Sequence, residues 1–275
     1  MSGEDDFGYG PFASNPFYTQ INRRLVALTR LLPGQCVVDL GAGTGAVTRL
    51  LAQAVSDASG AQVTAVEPSR SALETAQQDL GKFNGVTLNF VQANAECFSH
   101  LVPKPVGAVF FCNALHLVKE KESVVQEVYR SLQEGGTFSF NTSFFVGAEP
   151  PESLQFYKRA MMKALRHLHK NYGLSPDRNT RALARQPLSQ DEYVSLLESN
   201  GFRIRKNDVV TVPMPLKGFE DISGYSLFIE GALPSIPLGL GKEALQLGVR
   251  EAFAELGLET SPRNWLLVVA EKIAA

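Results

Sequence analysis

Asp39, Gly41, Gly43, Gly45 and Glu67 are the residues whose types and spacing point to chemistry. Val37-Val38-Asp39-Leu40 is a short β-branched run holding an acid, and Gly41-Ala42-Gly43-Thr44-Gly45 follows at once. Ala46-Val47-Thr48-Arg49-Leu50-Leu51-Ala52 then has a helical pattern. This order is that of a buried parallel strand, a tight loop and a helix N-terminus. Glycines let the backbone turn sharply and let a ligand approach where a Cβ would clash. The free N–H groups of the helix add a weakly positive end. Gly41-x-Gly43-x-x-Ala46 satisfies a loose dinucleotide fingerprint, which favours NAD. Glu67 closes a second apolar run, 61–67, in Glu67-Pro68-Ser69. An acid at a strand tip about 20 residues past such a loop can accept both hydrogen bonds of a ribose diol. The alternative for Glu67 is an acid favoured only by a helix dipole.

The elements that must position these residues can be read outward from them. The 275-residue chain is long enough for one elaborated domain, and its formal net charge of -2 carries no polyanion-binding signature. No apolar run is long enough to span a bilayer, and the acidic Met1-Ser2-Gly3-Glu4-Asp5-Asp6 does not resemble a signal peptide. Cys36, Cys97 and Cys112 are isolated and odd in number, which reads as small core residues in a reducing compartment. A cytoplasmic protein is expected. Residues 1–20 carry Phe7, Tyr9, Phe12, Phe17 and Tyr18 among Gly, Pro, Ser and Asn. They read as a strap, broken for a helix, that covers either the core or a ligand. Residues 19–31 read as a helix stopped by Pro33-Gly34. Strands are expected at 86–91 and 105–112, and helices at 71–80 and 122–132.

Further segments carry a resemblance. The full run Asp39-x-Gly41-x-Gly43-x-Gly45 resembles motif I of the class I S-adenosylmethionine-dependent methyltransferases. Gln92-Ala93-Asn94-Ala95 resembles their adenine loop, with Asn94 where the family often has an acid. Asn113-Ala114-Leu115-His116 resembles their fourth-strand tip, and Leu132-Gln133-Glu134-Gly135-Gly136 the approach to their fifth strand. A unit of helix, Gly201-Phe202 and strand resembles the approach to their sixth. The resemblance covers about the first half of the chain.

It implies an α/β fold: a doubly wound, seven-stranded, mostly parallel Rossmann-like sheet with an antiparallel last strand and helical cap insertions. It divides the chain into a strap or lid (1–20), a cofactor-binding core (21–145), a helical cap (146–188), and the rest of the sheet (189–275) with a second cap around 215–240. It implies S-adenosylmethionine as cofactor and S-adenosylhomocysteine as product. Asp39 and the Gly41–Gly45 loop would hold the methionine end, Glu67 and Pro68 the ribose, and Asn94 with Ala95 the adenine. Asn113 and Leu115 would flank the sulfonium, and Tyr18 would close over the cofactor. His116 is the best-placed general base, a neutral imidazole able to take a proton from a hydroxyl, phenol or enol. Its alternative is packing behind the fourth strand. His100, His167 and His169 are less well placed.

No metal-ligand spacing surrounds the site, so no metal is expected. Nucleic acid is not an expected partner, because no Asn/Asp-Pro-Pro-aromatic tetrapeptide follows the fourth strand. Residues 152–170 read as an amphipathic helix with Leu154, Tyr157, Met161, Leu165 and Leu168 on its apolar face. Lys158, Arg159, Lys163, Arg166 and Lys170 surround that face, and Arg178, Arg181 and Arg185 follow. This basic segment is either a solvated face or an attractor for an acidic group. Ser189-Gln190-Asp191-Glu192 is a capping box. The expected activity is methyl transfer to oxygen or carbon of a small, largely apolar metabolite that can carry one acidic group, by a monomer or homodimer without stable membrane insertion. Two alternatives stay open. One is a cofactor-binding protein of the same fold that catalyses a cyclisation or decarboxylation, and the other is an NAD-dependent oxidoreductase.

Overall fold

The computed structural model describes residues 7–56, 60–81, 83–102, 105–177 and 187–273. Arg178, Arg181 and Arg185 lie outside the described residues. The seven strands are β1 (Cys36–Leu40), β2 (Gln62–Val66), β3 (Thr87–Val91), β4 (Val106–Cys112), β5 (Leu132–Thr142), β6 (Phe202–Pro215) and β7 (Thr260–Lys272). They form one sheet in the order β3-β2-β1-β4-β5-β7-β6. β1 pairs in parallel with β2 and β4, β2 with β3, and β4 with β5. β7 runs antiparallel between β5 and β6. This is the expected doubly wound sheet with its reversed last strand. The strand order reverses between β1 and β4, and the crevice beyond the carboxyl ends there is where such sheets bind ligands.

The ten helices among the described residues are α1 (Gly10–Ala13), α2 (Pro16–Thr29), α3 (Ala46–Val55), α4 (Arg70–Leu80), α5 (Lys121–Ser131), α6 (Leu154–Tyr172), α7 (Gln190–Glu198), α8 (Leu216–Ile222), α9 (Ser226–Ala232) and α10 (Leu238–Leu256). Alternate residues of the central strands feed two cores, as a pleat requires. Trp265, Leu267 and Val269 face one core with α2 and α3, and Leu266, Val268 and Ala270 face the other with α5 and α7. The capping box at Ser189 forms, with Ser189 and Glu192 satisfying each other's backbone N–H.

Two local expectations are overturned. The strap is helical: α1 and the start of α2 lie within residues 1–20, with Pro11 and Pro16 at first-turn positions where a missing N–H does no harm. Phe12, Phe17 and Tyr18 are buried in the core. Buried polar pairs also tie α2 to β5. Asn141 donates to Asn22 at 2.7 Å, and Thr29 and Ser139 share a hydrogen bond at 2.7 Å.

The apolar face of α6 is the second. Its buried residues are Phe156, Ala160, Ala164 and Leu168, while Leu154 and Leu165 are exposed. The small residues let α10 come close: a Cβ on Gly248 would meet the Ala160 carbonyl oxygen at 2.3 Å. Across this contact Lys163 pairs with Glu251 and Glu255, Arg159 with Glu255, and His167 with Glu243. Arg159 and Lys163 are therefore neutralised by α10. The caps also join: Ala164 and Leu168 of α6 share an apolar cluster with α9 and α10.

Candidate active site

The carboxyl ends of β1, β2 and β4 open into a cavity of about 1770 Å³. The glycine turn builds one wall, and its three glycines are needed for different reasons. Gly41, Gly43 and Gly45 all have positive φ, at 68°, 54° and 86°. Gly43 has open space where a Cβ would stand, and its N–H donates to Glu67 Oε2 at 2.8 Å. At Gly45 a Cβ would meet Leu80 Cδ1 at 2.5 Å, so this glycine serves the packing of α4 against the turn. Gly41 and Gly43 line the cavity, and Gly45 does not.

Glu67 reaches the cavity from the end of β2. Its other oxygen accepts from the Ser69 N–H at 2.9 Å, so two backbone amides hold the carboxylate in one orientation. Burial raises its pKa, and the two amides pull the other way. Asp39 is 1 % exposed and accepts the Thr48 hydroxyl at 2.6 Å. Burial raises its pKa from 3.8 to about 7; Thr48 opposes this and the Glu67 charge adds to it. Asp39 therefore supports the turn from beneath and is not in the cavity wall. Pro68, Asn94 and Ala95 are in the wall, as expected.

Asn113 follows β4 in a left-handed conformation, φ 51°, which asparagine tolerates better than most residues. Its Oδ1 accepts the Ser143 N–H at 2.8 Å, and its Nδ2 donates to Tyr9 Oη at 2.7 Å. It thus joins β4, the chain after β5 and the segment before α1. Tyr9 packs against Tyr18 and Tyr225, and all three line the cavity. Tyr9 was legible only as one of several strap aromatics.

The side chain of Leu115 is fully buried with Phe98 and Val118 and does not reach the cavity. Its neighbours Ala114 and Leu117 do, because Leu115 opens a one-turn 3-10 helix whose three residues per turn point in different directions, Leu115 into the core and Leu117 into the cavity. Where Leu115 was expected in the wall, the structure places Ala114 and Leu117. His116 is at the cavity but 5 % exposed, stacked on Phe144 at 4.4 Å, with Nδ1 3.1 Å from Thr142 Oγ1. Burial, aided by Lys121 and Arg263, lowers its pKa to about 3. Its imidazole is neutral at physiological pH and a poor proton acceptor.

Beyond Asn113 the wall becomes aromatic, with Phe144, Tyr157, Tyr225 and Phe228, and one cation, Arg263 of β7, stands among them. None of these was identified as a site residue from the sequence. The available signal for Arg263 was a charge just before the apolar run Trp265–Ala270.

A family profile described as a methyltransferase domain matches residues 37–136, which hold the glycine turn, Glu67, Asn94 and Asn113. Over that segment the chain is similar to methyltransferase domains, and its strand order is that of the solved structures it resembles. Over 134 residues it is 31% identical to the ubiquinone/menaquinone biosynthesis C-methyltransferase UbiE of Legionella pneumophila (strain Paris), covering 46% of this chain and 52% of that protein. Over 111 residues it is 32% identical to a ubiquinone biosynthesis O-methyltransferase of Methylococcus capsulatus, covering 40% of this chain and 44% of that one. The chain therefore spans about half the length of the curated relatives it matches. Among solved structures, the [4+2]-cyclase SpnF shares the fold, with TM-score 0.56 at 15% identity over 94% of this chain and 82% of that one.

Proposed function

We propose that this protein is a methyltransferase that moves the methyl group of S-adenosylmethionine to a carbon or oxygen of a small, largely apolar acceptor. The observation that carries the reading is a single cavity with two unlike halves. One half holds the glycine turn, Glu67, Asn94 and Ala95, and the other holds the aromatic chamber around Phe144 and Phe228. Its volume of about 1770 Å³ exceeds the roughly 300–1000 Å³ of a pocket for one small ligand, so cofactor and acceptor fit together. The matched relatives are described as C- and O-methyltransferases, which supports both acceptor atoms.

The residues present suit a cationic cofactor. Two amides hold the Glu67 carboxylate at the cavity, where it would accept from a ribose diol, and Asp39 places a second acid under the turn. Asn94 and Ala95 would meet the adenine, and Asn113 would stand near the sulfonium. When bound, S-adenosylmethionine supplies an electrophilic methyl group on sulfur. The chain's own part is to orient the acceptor and exclude water. Tyr9 and Tyr18 cover the cofactor half from the N-terminal segment, and Tyr225 and Phe228 cover the other from the caps.

His116, with its pKa near 3, serves better as a neutral polar wall than as a general base, since proton transfer is efficient when the pKa lies near working pH. An acceptor that arrives ionised or as an electron-rich carbon needs no stronger base.

Calorimetric titration with S-adenosylmethionine, S-adenosylhomocysteine and NAD tests the cofactor, on wild type and Glu67→Ala. Binding of the first two, weakened by the substitution, is expected, with no binding of NAD. Acceptor products should gain one methyl mass. Binding of NAD alone, or cofactor-dependent turnover without methyl gain, would overturn the proposal.

A further inference from the structure

Arg263 is the cation of the acceptor chamber, and its surroundings leave one edge of it unused. Its Nε and Nη2 donate to the Ser143 carbonyl oxygen at 3.0 and 2.6 Å, and its Nη1 donates to Tyr157 Oη at 2.9 Å. The guanidinium carbon lies 5.1 Å from the Phe144 ring centre and 5.3 Å from that of Tyr157. Backbone and two aromatic rings thus hold the group in place.

A guanidinium has five N–H groups, and these bonds use three of them. The remaining two are one on Nη1 and one on Nη2, the fork that grips carboxylate or phosphate in bidentate fashion. The side chain is only 11 % exposed, whereas its ion-pair partner Glu149 is 46 % exposed and 3.6 Å away, too far for a direct hydrogen bond. A desolvated cation with a loose, half-solvated counterion favours an anion that comes closer.

The position of the cation adds a second observation. Arg263, Phe144 and Glu149 line the main cavity and also a smaller pocket of about 370 Å³ formed with Gly147, Leu154 and Pro187. The cation therefore stands where the chamber meets a side pocket, a place for a ligand's polar end. The cations of α6 do not compete for this part, because that helix gives the cavity wall only Tyr157 and Met161.

We propose that Arg263 selects methyl acceptors bearing an anionic group, a carboxylate or a phosphate, which binds its open edge in place of Glu149 while the apolar body lies in the aromatic chamber. This rests on the methyltransferase reading of the cavity.

The test titrates 3-phenylpropanoate, phenyl phosphate and the uncharged 3-phenylpropanamide into the protein, with and without saturating S-adenosylhomocysteine. At least one anion should bind about tenfold or more tighter than the amide, the scale of a charge-assisted hydrogen bond. The tighter of the two anions identifies the group. Arg263→Gln should abolish the preference and leave S-adenosylhomocysteine affinity unchanged. Glu149→Gln, a half-exposed site where folding is not at risk, should strengthen anion binding by removing the competitor. Equal binding of anions and amide by wild type, or anion binding unchanged or weakened in Glu149→Gln, would overturn the proposal. Failure of S-adenosylhomocysteine to bind wild type would instead overturn the cofactor reading, and the anion preference would still be measurable.

Discussion

Replacing Asp39 with Asn should stabilise the ligand-free protein increasingly as pH rises, while weakening its hold on the cofactor. The reason is the buried carboxyl, whose pKa rises from 3.8 in the unfolded chain to about 7 in the fold. Between those values the folded state holds a proton that the unfolded state releases. Folding is therefore penalised progressively as pH rises, with no penalty below the unfolded pKa and the full penalty above the folded one. A shift of about 3 units corresponds to about 4 kcal/mol, of which about 2–3 kcal/mol develops between pH 5 and pH 8. Asn does not titrate, so the stability of Asp39→Asn relative to wild type should rise by that amount over this range. Reading the change with pH cancels any fixed penalty from placing an amide beside Thr48. Urea denaturation of both proteins at intervals from pH 5 to pH 8 measures it. A difference flat to within about 1 kcal/mol, or one that falls with pH, would refute the reasoning. The same variant should bind S-adenosylmethionine more weakly, because a negative charge beneath the turn is lost. Asp39 would then be an acid kept for its ligand against its own contribution to folding.

Other consequences can be measured with the same tools. Gly45→Ala combines φ of 86° with a Cβ 2.5 Å from Leu80 Cδ1, and should lose about 2–4 kcal/mol of stability. Gly43→Ala, with no atom within 4 Å of its Cβ, should lose about 1–2 kcal/mol and show its larger effect in cofactor affinity; equal stability losses in the two variants would contradict the division of roles. Glu67→Gln should weaken S-adenosylhomocysteine binding about 10- to 100-fold by calorimetry, the scale of one charge-assisted hydrogen bond. His116, with a folded pKa near 3 against an ordinary 6.5, takes up its proton later than the unfolded chain does, so it lowers stability as pH falls below 6.5. Its ring resonances should not titrate above pH 5, and an inflection near 6.5 in the rate profile that His116→Gln removes would restore it as a base.

Some of the site was readable residue by residue, and the division has a physical basis. Glycines with obligatory positive φ, an acid at a strand tip and short β-branched runs are local signals, so β1 to β4, the turn and Glu67 could be placed from composition and spacing, and the Asn94 loop and the approach to β5 from the family resemblance. Leu115 was misplaced because a single turn of 3-10 helix decides which of its neighbours face the cavity. The apolar face of α6 was misassigned for a related reason. Leucine was taken as the mark of burial, whereas contact with α10 selects Ala160 and Ala164 for their small size. Whether its cations faced solvent or a ligand was open in the sequence, because the acids that neutralise Arg159 and Lys163 lie some 90 residues later, on α10.

By itself, then, the sequence determined a nucleotide-type turn, its acid and the short strands and helices beside them, since each depends on backbone conformation and side-chain alternation over a few neighbouring residues, while the doubly wound sheet followed from the family resemblance. The tertiary structure alone decided that Tyr9 bonds Asn113 and that His116 is buried and neutral. It also decided that the charge in the acceptor chamber comes from Arg263 on the last strand. Those features depend on groups more than a hundred residues apart meeting in one desolvated space, where burial and neighbouring charge, not residue type, set what each group can do.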